Sequence, residues 1–440
     1  MSPEYLGLIL LGALLTGIFI GFPIAFTLII LAIVFGYIGI GPQVFYLMYF
    51  QTIGLMKEET LAAVPLFVFM GHMLEQAGLM ERLFKSFQFI FARVRGSLFL
   101  GVLFTATVFA TATGIIGASV TVIGLMAAPE MMKSKYDVAM SAGVITAGGC
   151  LGILIPPSVL LVVLGPVLGV SVVQLFLAAI FPGLILAGLF IAYTLIRCYM
   201  NPKLGPRLPA EQRPTSYVEV LREFGTGIIP LGAIIFASLG SIIAGLATPT
   251  EGAAMAATGS IILTGLYKRL NRSTLKNAAM KTLQTSSMIL FLAVASNVYG
   301  SVFARLGTAS LITNTLLSLT VSPMLLIVIL MVVIFILGWP LEWPAIVFIF
   351  IPIFYPVVEK MGFNLVWFAT LVAVNLQTAF LSPPVAMAAY YLKGVAPDWP
   401  LGKIYKGMMQ YMVLQCIGLA IVLFFPEVAL WLPRLFVGGH

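Results

Sequence analysis

Ten apolar stretches, each bounded by polar residues or by Pro and Gly, run through this chain near residues 5–20, 22–39, 61–77, 138–168, 172–198, 226–246, 250–267, 286–302, 364–392 and 407–430. At about 1.5 Å per helical residue, a run of roughly 20 residues spans the ~30 Å hydrocarbon core of a bilayer. Inside that core the backbone must satisfy its own hydrogen bonds, so the expected class is an all-α polytopic membrane protein. Composition closes off the alternatives. The 440 residues are 61% hydrophobic and 9% charged, where a soluble domain carries about 25% charged residues. No stretch is left for a sizeable aqueous domain. Two His and three Cys offer no metal or disulfide framework, and Cys150, Cys198 and Cys416 read as small filler in apolar surroundings.

The net charge of +8 reports orientation rather than nucleic-acid binding, because in a membrane protein the placement of Lys and Arg decides. A polar segment, Asn201 to Glu223, carries Pro202, Pro206, Pro209 and Pro214 among Arg207, Arg213 and Arg222, and it joins two halves. The expected boundaries are 1–200 for the first half, 201–225 for a cytoplasmic linker and 226–440 for the second. No Lys or Arg precedes Lys57, so the first span lacks the basic start of a cleavable signal and is expected to stay. With both termini outside, nineteen of the 23 Lys and Arg residues fall inside, leaving Lys57, Arg305, Lys360 and Arg434 outside. That bias fits the positive-inside rule.

Two further apolar stretches, 98–130 and 323–358, are too long for one crossing and are each interrupted near the middle. The interruptions are Thr111-Ala112-Thr113-Gly114 and the run Gly338-Trp339-Pro340-Leu341-Glu342-Trp343-Pro344. Each is read as a re-entrant hairpin of two half-length helices. Unwound backbone at that depth is tolerated only inside protein or beside water.

Two Pro-Pro pairs, Pro156-Pro157 and Pro383-Pro384, lie 227 residues apart in otherwise apolar helices, at 138–168 and 364–392. Pro129 and Pro356 precede them by the same 27 residues. The halves therefore read as copies, and five crossings per copy put the second upside down, which is the inverted repeat of secondary transporters. A Pro-Pro pair removes two donors and frees carbonyls on its N-terminal side. In hydrocarbon those carbonyls need a partner, and neutral oxygens suit a hard monovalent cation such as sodium. A proton relay would instead call for a chain of Asp, Glu or His. The hydroxyls of Thr111, Thr113, Ser119, Thr378 and Ser382 stand near the breaks, with a plainer alternative in which they only bond back to their own helices.

At these residues the chain resembles the large membrane subunit of tripartite ATP-independent periplasmic (TRAP) transporters. The likeness runs through Gly21-Phe22-Pro23-Ile24-Ala25-Phe26, Val64-Pro65-Leu66-Phe67, Ile155-Pro156-Pro157-Ser158, Thr248-Pro249-Thr250-Glu251, Ser382-Pro383-Pro384-Val385 and Leu430-Trp431-Leu432-Pro433. The resemblance implies sodium-coupled uptake of organic anions, often carboxylates, by an elevator-like motion in a bacterial or archaeal inner membrane. It also implies two partners, a small four-helix membrane subunit and a soluble periplasmic substrate-binding protein. No cofactor beyond the coupling ion is expected. Two departures from the family pattern, an apolar Gly114-Ile115-Ile116-Gly117-Ala118 tip and Phe380 before the second Pro-Pro pair, suggest a more apolar solute.

The expected sodium set comprises Thr111, Thr113, Gly114, Ser119, Gly149, Gly152, Ile155, Gly338, Glu342, Thr378, Phe380, Leu381 and Ser382. Glu342 has a second reading as a helix cap. Ser158, Trp339, Trp343 and Asn297 are the expected substrate-cleft residues, with interfacial anchoring as the other use of the two tryptophans. Thr248-Pro249-Thr250-Glu251 reads as a capping box with Pro at the first helical position. Residues 80–95 and 272–284 read as amphipathic arms on the cytoplasmic surface. An enzyme is disfavoured, because the only histidines are His72 and His440 and acidic residues sit at segment ends. A self-sufficient carrier or a channel remains the alternative.

Overall fold

The computed structural model describes residues 3–437 except 114, 115, 209–212, 215, 319, 320 and 384, and within them all regular structure is helical. The first half runs α1 (Pro3–Ile20), α2 (Ile24–Ile40), α3 (Gln43–Met56), a 3-10 turn at Glu59–Ala62, α4 (Ala63–Gln76) and α5 (Leu79–Ile90). It continues through α6 (Ser97–Thr113), α7 (Ile116–Lys133), α8 (Val138–Cys150), α9 (Val159–Leu168) and α10 (Val172–Met200). The second half begins with α11 (Tyr217–Ile243), α12 (Pro249–Leu266), α13 (Arg272–Arg305), α14 (Thr308–Ser318) and α15 (Pro323–Leu337). After α16 (Trp343–Ala345) a π-helical turn, Ile346–Phe350, leads into α17 (Ile351–Lys360). Then come α18 (Leu365–Leu381), α19 (Met387–Val395), α20 (Leu401–Phe424) and α21 (Glu427–Val437).

Helix boundaries in the two halves follow the same offset as the proline pairs. α7 and α16 start at Ile116 and Trp343, and α8 and α18 at Val138 and Leu365, both 227 residues apart like the proline pairs. In that frame α5 falls on α14, α6 on α15, α9 on α19 and α10 on α20, while α3 and α4 together fall on the single 34-residue α13. The asymmetry has a local cause. Lys57-Glu58-Glu59 and Pro65 interrupt the first copy, with Glu58 extended at φ −75° and ψ 98°, whereas α13 contains no proline.

Three boundaries differ from the sequence expectation. The stretch between the second and third apolar runs, which the sequence leaves outside the ten spans, forms α3. Residues 272–284, expected to be a surface arm, are the first turns of α13. α11 starts at Tyr217, inside the expected linker, because Ser216 caps it by accepting from the Val218 N–H. The other expected arm forms α5, which turns 66° from the preceding helix and buries Leu79, Met80, Leu83, Phe84 and Phe87 along one face. The capping box is present: Thr248 N–H donates to Glu251 Oε2 at 2.8 Å, and Glu251 N–H donates to Thr248 Oγ1 at 3.2 Å.

Among the described residues six helices are long and apolar enough to cross a membrane, seven if the bent α4–α5 pair counts as one. Other apolar helices there have 10–17 residues, and proline breaks shorten those on either side of Pro156-Pro157 and before Pro383. Residues 343–360, expected as half of a hairpin, reach crossing length at 18 residues.

Packing is densest around two sets of helices, which α5 and α4 join by also packing on α6. α4 lies against α12 and α13, α13 against α2 and α3, and α11 against α12 and α5. The other group is built around α8, α18 and α20, with α6 and α7 on α8, α15 on α18, and α10 beside α18, α20 and α21. α8 and α20 approach through glycine: a Cβ on Gly407 would lie 1.7 Å from the Ala139 carbonyl oxygen. Buried polar side chains tie the second group together. Asn375 Nδ2 donates to the Met331 carbonyl at 2.7 Å, Gln415 Nε2 to Gln377 Oε1 at 2.8 Å, and Trp367 Nε1 to the Val422 carbonyl at 2.9 Å.

Candidate functional site: two broken helices and the cleft between hairpin ends

Each Pro-Pro pair opens its helix as the chemistry requires. Pro156 and Pro157 carry no N–H, so the carbonyls of Gly152 and Ile153 lose their helical donors. α8 gives way to a 3-10 turn at Leu151–Ile153. Ser158 then repairs half of the damage: its Oγ donates to the Ile153 carbonyl at 2.5 Å and accepts from the Leu161 N–H at the start of α9. In the second copy the prolines strip donors from Ala379 and Phe380. Ser382 leaves the helix in an extended conformation, and Ala386 turns the chain at φ 43°, a left-handed value uncommon for a residue with a Cβ.

The end of α15 and the segment after it are held against this break. Gly338 ends α15, and a Cβ there would lie 2.5 Å from that of Ala379, so glycine permits the contact. Trp339 to Glu342 then form a cavity of about 100 Å³ with Ala379, Phe380, Val385 and Met387. Glu342 precedes α16 and makes no side-chain capping bond, which removes the cap reading. A second cavity, about 120 Å³, lies between the start of α7 and residues 342–344. Ile116 and Gly117 of α7 face Glu342, Trp343 and Pro344 across it, with Val159, Phe380 and Tyr391 from the two broken helices and Thr285, Met288 and Ile289 from α13. Glu342 and Phe380 line both cavities. Beside the second break, Trp339 Nε1, Gln377 Nε2 and Ser382 Oγ are buried without a hydrogen-bond partner. Such orphaned groups are costly in an apolar interior and mark where a ligand would be welcome.

The expected residues divide accordingly. Gly338, Trp339, Glu342, Trp343 and Phe380 line the paired cavities. Thr378 and Leu381 are buried in the last turn of α18, and Thr378 Oγ1 donates to the Asn375 carbonyl at 2.6 Å, so its lone pairs stay available. Ser119 is buried on α7, and Gly149 receives that helix, with an added Cβ 2.4 Å from Val120. Ile155 packs on Gly183, beside Gly152 in the 3-10 turn. Asn297 does not join the cleft: its Nδ2 donates to the Gln51 carbonyl at 3.1 Å, joining α13 to α3. Ser158 is committed to capping α9. Gly114 and the side chains of Thr111 and Thr113 lie outside the described residues. Sequence reasoning missed Tyr391 and the α13 residues Thr285, Met288 and Ile289. None sits at a break, and only Gly117, whose added Cβ would lie 2.9 Å from the Tyr391 ring, hints at that contact. A roomier cavity of about 500 Å³, between Phe89 and Val220, includes none of the expected site residues.

The chain has the build of a multi-pass membrane protein in which two proline-broken helices meet across a small cleft. Its overall fold matches the crystal structure of the YdaH transporter of Alcanivorax borkumensis, with a TM-score of 0.66 at 15% identity over 98% of this chain and 99% of that one. Residues 11–428 match the family described as tripartite ATP-independent periplasmic transporter, DctM component, and the chain belongs to that family of large permease subunits. Relatives include the sialic acid TRAP transporter large permease protein SiaM of Vibrio cholerae, 29% identical over 96% of this chain and 97% of that protein. The C4-dicarboxylate TRAP transporter large permease protein DctM of Pseudomonas aeruginosa is 28% identical over 86% and 87%. The chain is a transporter subunit and not an enzyme.

Proposed function

We propose that this chain is the permease of a sodium-coupled, binding-protein-dependent importer of small organic acids in a bacterial or archaeal inner membrane. The observation that carries the reading is the cleft itself, where both hairpin ends and both broken helices meet α13. Carbonyls freed by the two proline pairs, with Thr378, Ser382 and Glu342, would hold sodium as the coupling ion; the unpartnered Ser382 Oγ supports this. Residues 1–200 and 226–440 would act as inverted copies, both termini outside, with the hairpin-bearing group sliding past the α4–α12–α13 group in an elevator-like step. Relatives named for sialic acid and C4-dicarboxylate support an acidic solute.

Two partners follow from the family's tripartite organisation: a small four-helix membrane subunit and a soluble periplasmic binding protein. The exposed Phe45, Tyr46, Tyr49 and Phe50 of α3, with Phe19, Phe22 and Phe26 nearby in sequence, support a fixed apolar face for the small subunit. The test is uptake in proteoliposomes. Accumulation is expected only with a sodium gradient and both partners present. Robust accumulation by the chain alone would move the reading to a self-sufficient carrier, and passive conductance would move it to a channel.

A further inference from the structure

The cleft has an unusual charge balance for a site that receives organic acids. Among the described residues neither cavity is lined by Lys, Arg or His, and the one ionisable acid is Glu342. Apart from Thr285 the rest of the wall is mostly apolar or aromatic, including Ile116, Val159, Ile289, Trp343 and Phe380. A solute carboxylate would therefore find no protein cation, and its countercharge would have to come from coupling sodium. An ionised Glu342 would claim part of that charge. A second solute carboxylate would meet a mostly apolar wall with no protein cation to pair with, a costly arrangement. The cavities, about 120 and 100 Å³, are also well below the roughly 300–1,000 Å³ of sites for drug-sized ligands.

We propose that the transported solute is a small monocarboxylate with a branched or aromatic apolar body, and that dicarboxylates are rejected at this cleft for want of a cation. The solute's carboxylate would share sodium with Glu342 and accept from Trp339 Nε1, which has no partner. Its apolar body would lie between Phe380 and the α13 face at Met288 and Ile289. This assignment rests on the reading of the site as a sodium-coupled organic-acid cleft.

The experiment is a thermal-shift titration of the detergent-purified full chain, in sodium chloride and in choline chloride. The probes are isocaproate, hydrocinnamate and adipate, the last matching isocaproate in carbon number. In sodium, the two monocarboxylates should stabilise the protein with affinities at least about tenfold above that of adipate. Met288→Arg supplies a cation on the α13 wall at a residue that is 52% exposed and therefore tolerant of a longer side chain. It should raise adipate affinity on the order of tenfold relative to isocaproate. Wild-type protein that binds adipate as tightly as isocaproate, or a Met288→Arg variant with an unchanged ratio, overturns the monocarboxylate assignment and leaves the transporter reading standing. No sodium-dependent shift with any of the three would count against both.

Discussion

Gly407→Ala tests the helix crossing on which the first broken helix depends. The new Cβ would sit 1.7 Å from the Ala139 carbonyl oxygen, 2.6 Å from its carbon and 3.0 Å from Gly143 N. An ordinary carbon–oxygen contact is roughly 3.3 Å, so α20 must withdraw from α8 by about 1.6 Å. A gap of 0.5–1 Å, about what a partial withdrawal leaves, already forfeits roughly a quarter to a half of the dispersion energy of the atoms involved. No side chain can rotate away, because the obstructing atoms are backbone. Overpacking of a buried site costs about 1–3 kcal/mol, and this case belongs at or above the upper end. The assay is thermal unfolding of the detergent-purified protein. Gly394→Ala and Gly402→Ala serve as controls, since an added Cβ meets nothing within 4 Å at either position. They should leave Tm unchanged or raise it slightly, by the roughly 0.5–1 kcal/mol that Ala gains over Gly in a helix. Gly407→Ala unfolding together with the controls would refute the close approach of α8 and α20.

Thr378→Val removes one oxygen at nearly constant volume. It should raise the sodium concentration needed for half-maximal uptake on the order of tenfold with little change in Tm, and an unchanged sodium response removes Thr378 from the ion site. Tyr136, in the turn before α8, donates to the Pro206 carbonyl at 2.7 Å and accepts from the Leu98 N–H at 3.3 Å, fastening the linker to the base of α6. Tyr136→Phe should cost about 1–3 kcal/mol by leaving those groups unpaired. Burial pushes the Tyr136 phenol up to about 12. Its proton is thus held more tightly when folded, and the contribution is present below the ordinary tyrosine value and lost as pH rises through about 12. The deficit should therefore be the same at any neutral pH, and a deficit that varies between mildly acidic and mildly basic buffers would contradict it. Arg207 is exposed in the segment between α10 and α11. In a Cys416→Ser background, which removes the one exposed thiol among the three cysteines, Arg207→Cys should react with an impermeant maleimide only from the cytoplasmic side. Labelling from outside would reverse the proposed orientation.

The helix breaks, the helical class and the family were legible in the chain because proline and glycine act locally. A Pro-Pro pair removes donors wherever it occurs, so both breaks could be placed before any packing was known. The capping box at Thr248 was equally local. What could not be read were continuity and opposition. Hydropathy treats residues 43–56 and 272–284 as too short or too polar to cross, yet one is a separate helix and the other begins a 34-residue helix. Periodicity does not say whether the neighbouring segment breaks. Asn297 looked like a polar residue at membrane depth and proved to bond α3. Thr285, Met288, Ile289 and Tyr391 carry no mark of a site in the sequence, since a wall is defined by what faces it. Local donor chemistry determined where this chain opens its helices, while only long-range packing decided which residues meet across the opening, because that choice is made by contacts between segments from roughly forty to more than two hundred residues apart.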